Sequence, residues 1–199
     1  TAAMEALRRS PLVDNVTEDR LRRPALVRGA ALLGITVARR AGLDGSGSTI
    51  ALPDSGIDAR HPFLAGALVA EFCASSDFEG NDLQPATSSL CPEGRAESAA
   101  PGAGAACAVA SADCEHGTHV AGIVAGRGGR DGLEGIAPGA ALISLQIYSR
   151  LADGSGIGAW DSDLLRALER VHELNATHRV AAVNLSLAGD AVFAERAGC

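Results

Sequence analysis

From residue 49 onward, short apolar segments alternate with helical patterns, and this alternation constrains the fold more than any other feature of the sequence. The apolar segments that predict strands lie at 49–52, 67–72, 141–148 and 179–187. Small residues follow His116 in a pattern that suits a helix close to a sheet, and apolar residues recur at helical spacing after Asp161. Strands alternating with helices in this way predict βαβ units, and therefore an α/β domain with a mostly parallel sheet.

The composition is that of a folded globular domain. Hydrophobic residues make up 47% of the 199 residues and charged residues 21%, which argues against disorder. No apolar window reaches the roughly 18 uninterrupted residues that a membrane-spanning helix needs. The formal net charge is −7, and no run of Lys and Arg offers a basic surface, so we expect neither nucleic acid nor a membrane as a partner.

Five cysteines favour an oxidising compartment, and we therefore expect a secreted or extracytoplasmic protein. Four of them lie in residues 73–114, a stretch rich in Ser, Ala, Gly and Pro that predicts a long insertion cross-linked by disulfides. The plausible pairings join Cys73 to Cys91 or Cys107, and Cys114 to Cys91 or Cys107. Four cysteines allow three pairings, and the sequence does not choose among them.

Polar residues stand at the ends of predicted strands and at the start of a predicted helix. Asp54 follows the first strand, and His116 opens the small-residue helix. Ligands of α/β sheets bind at the carboxyl ends of the strands, where a carboxylate beside an imidazole forms the base-and-orienter half of a nucleophilic hydrolase. On spacing alone the alternative stays open that Asp54 is a turn residue and His116 a helix cap.

Five segments in a fixed order carry a resemblance to a known family. Asp54 lies in ALPDSGID (51–58) and His116 in HGTHVAGIVAG (116–126). The segments that follow are GIAPGAAL (135–142), ADGSG (152–156) and VNLSLAG (183–189). Together these segments resemble the subtilisin-like serine proteases of the peptidase S8 type. The resemblance implies a three-layer α/β fold with a mostly parallel sheet, incomplete at its C-terminal side.

The resemblance also implies an activity and the residues that perform it. Asp54 would orient His116, and His116 would act as general base and then general acid in the cleavage of peptide bonds by a serine endopeptidase. Two edge segments would pair with the main chain of an extended peptide or protein substrate. The residues of these segments are Gly154, Ser155, Gly156, Ser186, Leu187, Ala188 and Gly189.

Residues 1–23 resemble the last strand of the inhibitory propeptide that precedes such domains, so the chain's own propeptide is an expected partner and a zymogen is expected. Residues 24–199 would then form the N-terminal part of the peptidase domain. The family's nucleophilic serine and oxyanion asparagine have no counterpart in the sequence. We therefore expect the sequence to be truncated before the serine and this chain alone to be inactive. Cys199 would find its partner in sequence beyond the chain.

No cofactor is implied, and no metal site is expected. At the positions where the family binds calcium with high affinity, Phe63 and Gly129 stand in place of oxygen ligands. A hard cation such as Ca²⁺ takes about six to eight oxygen ligands, so the calcium site is predicted to be missing. Ala188 replaces a glycine of the substrate segment, which predicts a restricted first specificity pocket.

Two alternatives belong to other classes of protein. One is a non-catalytic peptide-binding module, a pseudoprotease with the same fold. The other is a zinc protein that uses Cys114 and His116 together with Cys107 and His119, since two His at i and i+3 share a helix face. We favour the protease, with His119 as a buried structural residue of the helix.

Overall fold

A computed structural model of the chain describes residues 32–82, 84–109, 112–129 and 132–187. The predicted propeptide remnant at 1–23 lies outside these residues. Ala188, Gly189 and Cys199 also lie outside them. No helix among the described residues has the length and apolar character needed to cross a bilayer.

The described part of the chain contains two sheets. Its strands are β1 (Thr49–Asp54), β2 (Leu68–Ala74), β3 (Thr87–Ser88), β4 (Glu97–Ser98), β5 (Ala141–Gln146), β6 (Tyr148–Leu151), β7 (Ile157–Ala159) and β8 (Val180–Val183). The larger sheet has the order β4-β2-β5-β1-β8, in which β4 alone is antiparallel to its neighbour. The smaller sheet is antiparallel, with the order β3-β6-β7. The predicted α/β class with a mostly parallel sheet is confirmed.

Helices cover both faces of the larger sheet. They are α2 (His116–Ala125) and α3 (Asp161–His178), whereas α1 (Ile35–Arg40) precedes β1 and has no buried residue. Between the sheet and α2 lies a cluster that includes Leu52, Ile57, Leu64, Leu142, Val120 and Ala121. Between the sheet and α3 lies a second cluster that includes Ala51, Phe72, Ile143, Leu145, Ala167 and Val171. Successive side chains of β1 and β5 therefore serve opposite faces, which explains why both strands are nearly continuous apolar runs.

The insertion at 73–114 is built into both sheets rather than looping out from them. Its strand β4 pairs with β2, and its strand β3 pairs with β6. Disulfides join Cys73 to Cys91 and Cys107 to Cys114, which is one of the pairings that the sequence left open. The insertion therefore adds an edge strand to each sheet.

Two predicted strands differ from the observed ones. The segment 141–148 is broken at Ile147, because the Gln146 side chain bonds both the backbone N–H and the carbonyl of Tyr148. The strand predicted at 179–187 ends at Val183, since its ladder with β1 stops there. Beyond it the Asn184 N–H still donates to the carbonyl of Ala51 at 2.9 Å. The substrate-segment candidates Ser186 and Leu187 thus follow β8 instead of lying within it.

Candidate active site

Asp54 and His116 meet at the carboxyl end of the parallel sheet. Asp54 is the last residue of β1 and His116 the first of α2, and 2.8 Å separates Asp54 Oδ1 from His116 Nδ1. The Asp54 side chain is 1% exposed and that of His116 is 43% exposed. A carboxylate only accepts hydrogen bonds, so Nδ1–H donates and Nε2 of the neutral ring is left as a proton acceptor. The buried carboxylate therefore holds the imidazole ring in one orientation, and the exposed ring offers Nε2 as a proton acceptor.

The Asp54 carboxylate is fixed by its own strand. The Ser55 N–H donates to Oδ1 at 2.7 Å, and the Ile147 N–H donates to the Asp54 carbonyl at 3.0 Å. Pro53 stays in register opposite Leu145 although it has no N–H to give to the ladder. The strand therefore delivers Asp54 to the sheet edge in one orientation.

Two glycines allow the strand end and the helix start to approach each other. A Cβ on Gly117 would overlap the carbonyl oxygen of Gly56 and lie 3.1 Å from Asp54 Oδ1. Gly56 itself has φ +86°, and a Cβ there would overlap the carbonyl of Ala105. A side chain at either position would push α2 or the insertion away from β1.

Ser55 connects the two elements through hydrogen bonds. Its Oγ accepts from the Gly117 N–H at 3.0 Å and donates to the Cys114 carbonyl at 3.3 Å. Neither Ser55 nor Gly117 was predicted to be a site residue. Their position beside Asp54 and His116 was the available signal, because small residues are needed where a helix start meets a strand end.

The end of the insertion pairs with the main chain that directly follows Asp54. The Ile57 N–H donates to the Gly104 carbonyl at 2.9 Å, and the Cys107 N–H donates to the Ser55 carbonyl at 3.0 Å. Ile57 and Ala105 form a parallel bridge. No periodicity in the sequence predicted this pairing, because it involves single residues rather than a strand.

Comparison with known proteins decides the family. The peptidase S8 model, which describes the subtilase family, matches residues 45–196. The chain belongs to the subtilase family. It is 33% identical over 118 residues to thermitase from Thermoactinomyces vulgaris, a match covering 59% of this chain and 30% of thermitase. It is 28% identical over 139 residues to fervidolysin from Fervidobacterium pennivorans, covering 70% of this chain and 16% of fervidolysin.

A solved structure shares the fold of this subtilase. The CspB protease of Clostridium perfringens superposes with a TM-score of 0.51 at 21% identity, over 78% of this chain and 32% of that chain. The resemblance stated from the sequence is thereby confirmed at the level of family and fold, and the family supports a serine-type peptidase function. The matches span under a third of the length of each of these relatives.

The substrate segments predicted for this subtilase lie outside regular strands. Residues 154–156 form the tip of the β6–β7 hairpin, where the Leu151 N–H donates to the Gly156 carbonyl at 3.0 Å. Ser155 donates twice to Asp153 Oδ1, from its N–H and its hydroxyl. Ser186 is exposed, and Leu187 is half-buried against the cluster under α3. Their role in binding a peptide remains a prediction.

The Tyr148 hydroxyl, on the first residue of β6, interacts electrostatically with Asp54. Burial raises the pKa of the Tyr148 hydroxyl to about 12, and the negative charges of Asp54 and Asp113 contribute to the shift. The phenol therefore stays protonated throughout the neutral pH range. The Ile147 N–H donates to the Asp54 carbonyl at 3.0 Å, so the hairpin that carries 154–156 starts one residue after that contact.

The zinc alternative is wrong, because Cys107 and Cys114 are bonded to each other and neither offers a thiolate. His119 is exposed in the described structure and not buried as expected, since α2 turns Val120 and Ala121 toward the sheet. The described residues contain no group of three or more His, Cys, Asp or Glu arranged to hold a metal. The Phe63 ring lies against Gly122 and Gly126, and the missing calcium site stays a prediction.

Proposed function

We propose that this subtilase is the N-terminal part of a serine-type endopeptidase in which Asp54 and His116 are two members of the catalytic triad. The single observation that supports the proposal is the hydrogen bond between the buried carboxylate of Asp54 and the exposed ring of His116. The proposal requires a nucleophilic serine as third member and an oxyanion donor, and neither has a counterpart in this sequence. The chain alone is therefore expected to be inactive.

The chemistry follows from the two ring nitrogens. His116 Nε2 removes the proton from the serine hydroxyl as that oxygen attacks the peptide carbonyl, and it then gives the proton to the leaving amine. Asp54 keeps the proton of the neutral ring on Nδ1 and stabilises the imidazolium that forms between these steps. Because Asp54 is buried, its charge acts on the ring with little screening by water.

The substrate is proposed to be an extended peptide or protein segment. The segments 154–156 and 186–189 would bind its main chain by strand addition, with pockets selecting side chains. Support comes from the exposure of Gly154, Ser155 and Ser186, which leaves these three residues accessible. Secretion and synthesis as a zymogen with its own propeptide belong to the same proposal, and the two disulfides are consistent with an extracytoplasmic location.

The test is His116→Ala in the complete protein, with His172→Ala on α3 as the control. Removing the base of a subtilisin-type triad lowers kcat by about 10⁶-fold, so His116→Ala should abolish cleavage of a fluorogenic peptide and self-processing. His172→Ala removes an exposed ring elsewhere and should leave both intact. Retained cleavage in His116→Ala would exclude the proposed catalytic role. A folded wild-type protein that binds peptides without cleaving them would instead indicate the non-catalytic module.

A further inference from the structure

The disulfide Cys107–Cys114 lies beside Ser55, the residue next to Asp54. On one side of the bond, the Cys107 N–H donates to the Ser55 carbonyl at 3.0 Å. On the other side, the Ser55 hydroxyl donates to the Cys114 carbonyl at 3.3 Å. Both ends of the disulfide are therefore hydrogen-bonded to a single residue of the strand end.

The same residue contacts Asp54 and the residue that follows His116. The Ser55 N–H donates to Asp54 Oδ1 at 2.7 Å, and its Oγ accepts from the Gly117 N–H at 3.0 Å. Cys114 lies in the turn Ala112–Glu115, which runs directly into His116. The N-cap residue of α2, Glu115, makes no side-chain capping bond. The first turn of α2 is thus held at Gly117 by Ser55 and at Thr118 Oγ1 by the Asp58 N–H, while the disulfide fixes Cys114 just before the helix.

The two disulfides differ in their surroundings. Cys73 is fully buried within β2, and its partner Cys91 is 5% exposed. In the second bond Cys114 is 4% exposed, but Cys107 is only partly buried. Cys107 is therefore the most exposed of these four cysteines, which favours attack by a small dithiol on this bond, whereas both cysteines of the other disulfide are buried.

We propose that Cys107–Cys114 is a redox-sensitive positioning bond for His116. Its reduction frees the start of α2 and uncouples the His116 ring from Asp54. Its formation in an oxidising compartment completes the pair. The consequence for proteolysis rests on the proposed function, and it means that a reduced precursor lacks activity until it has been exported.

The switching reaction is ordinary thiol–disulfide exchange. A thiolate of a dithiol attacks Cys107 Sγ, the bond to Cys114 Sγ breaks, and Cys114 leaves as a thiolate that takes up a proton. The second thiol of the reductant then attacks the mixed disulfide and releases the Cys107 thiol. The protein gains two electrons and two protons, and the dithiol becomes its cyclic disulfide.

The experiment uses the complete protein and two double variants. In Cys73→Ser/Cys91→Ser, the bond beside His116 is the one disulfide among the described residues on which dithiothreitol can act. In Cys107→Ser/Cys114→Ser, that bond is permanently absent. Three quantities are measured before and after reduction and after reoxidation: kcat on a fluorogenic peptide, far-UV circular dichroism, and the downfield NMR resonance of the His116 Nδ1–H. Mass spectrometry of alkylated thiols reports which disulfide is open.

Reduction of Cys73→Ser/Cys91→Ser should remove the downfield resonance and lower kcat by about 10²-fold, because a displacement of roughly 1 Å has that effect on positioned groups. Reoxidation should restore both, with circular dichroism unchanged throughout. Cys107→Ser/Cys114→Ser should lack the resonance with or without dithiothreitol.

Two results would overturn the proposal. One is a Cys107→Ser/Cys114→Ser protein that keeps the resonance and a kcat within twofold of wild type. The other is loss of the resonance only together with the circular dichroism signal, which would make the bond a general stabiliser. If wild type shows the resonance but cleaves no peptide, the proposed function fails while the coupling is still tested by NMR.

Discussion

At the scale of single residues, the Asp54 carboxylate has two hydrogen bonds on one oxygen and, among the described residues, none on the other. Oδ1 accepts from Ser55 and from His116, while Oδ2 is buried without a partner. An asparagine could keep both bonds at Oδ1 only by burying its NH₂ group at the Oδ2 position. In either orientation of the amide, the charge that stabilises the imidazolium is lost.

Asp54→Asn should therefore lower kcat of the complete protein by about 10⁴-fold, with KM changed only slightly, because the substituted group is buried and does not reach the substrate. Steady-state kinetics on a fluorogenic peptide measure both. The control is Asp58→Asn, which removes a carboxylate of the same segment whose bonds go to exposed Arg60. Equal losses in the two variants would contradict the assignment.

Gly117→Ala should destabilise the protein and separate His116 from Asp54, because the added Cβ meets the fixed backbone of Gly56. Overpacking of this kind costs about 1–3 kcal/mol. Gly122→Ala is the control on the same helix, where a Cβ would meet only the Phe63 ring at 3.4 Å and alanine should gain in helix propensity. Thermal unfolding in a His116→Ala background, which prevents self-digestion, should move in opposite directions for the two variants.

At the scale of elements, the start of α3 anchors the exit of β2. Asp163 is fully buried in the first turn of α3, where its Oδ2 accepts from the Ser76 N–H at 3.0 Å and its Oδ1 from the Ser76 hydroxyl at 2.8 Å. The neighbouring Ser75 hydroxyl donates to the Tyr148 carbonyl at 3.0 Å and contacts Ser149 Oγ at 2.8 Å. The Asp163 carboxylate thus ties α3 to the insertion, and Ser75 ties the insertion to β6.

Asp163→Ala should lower the free energy of unfolding by about 2 kcal/mol, since it removes the hydrogen bonds from Ser76 to a buried charged group and the ion pair with Arg166. Asp161→Ala removes a carboxylate from the same helical turn, but that side chain is exposed. Both variants lose the same interaction with the helix dipole, so the difference between them isolates the buried bonds. Urea unfolding of both variants measures it, and equal losses would show that the buried contacts contribute nothing.

The element boundaries show what local patterns can predict. Strands β1 and β5 were predictable because each is a continuous apolar run in the centre of the sheet. The break at Ile147 was not, because it depends on a side-chain bond from Gln146 to the next strand. The end of β8 at Val183 was equally hidden, since it depends on where β1 stops offering ladder partners.

At the scale of the whole molecule, the α/β class and the approach of Asp54 to His116 could be predicted because strand ends of a parallel sheet share one edge. The path of the insertion could not. Its strands contain two residues each and pair with partners that are distant in sequence. Two residues are too few to give a periodic pattern, so the sequence does not predict these strands. The cysteine count indicated cross-links, but the choice of pairing needed the three-dimensional positions of β2 and α2.

Cys73→Ser/Cys91→Ser should lower the free energy of unfolding by about 3 kcal/mol, because the bond closes a loop with a sequence separation of 18 and constrains the unfolded chain. The value of kcat should stay near that of wild type, since neither cysteine contacts Asp54 or His116. Urea unfolding in the His116→Ala background and steady-state kinetics in the active protein measure the two quantities. A large fall in kcat would show that this bond also supports the site.

The parallel bridge between Ile57 and Ala105 also limits how this subtilase can be redesigned. An engineer who trims or grafts the cysteine-containing segment as a dispensable surface decoration would remove the main-chain partners of Ser55 and Ile57. Residues 103–107 must therefore be transferred together with Asp54, Ser55 and Gly56, which they support. Insertions chosen for a new specificity belong earlier in this segment, between Phe78 and Thr87, which pair with each other.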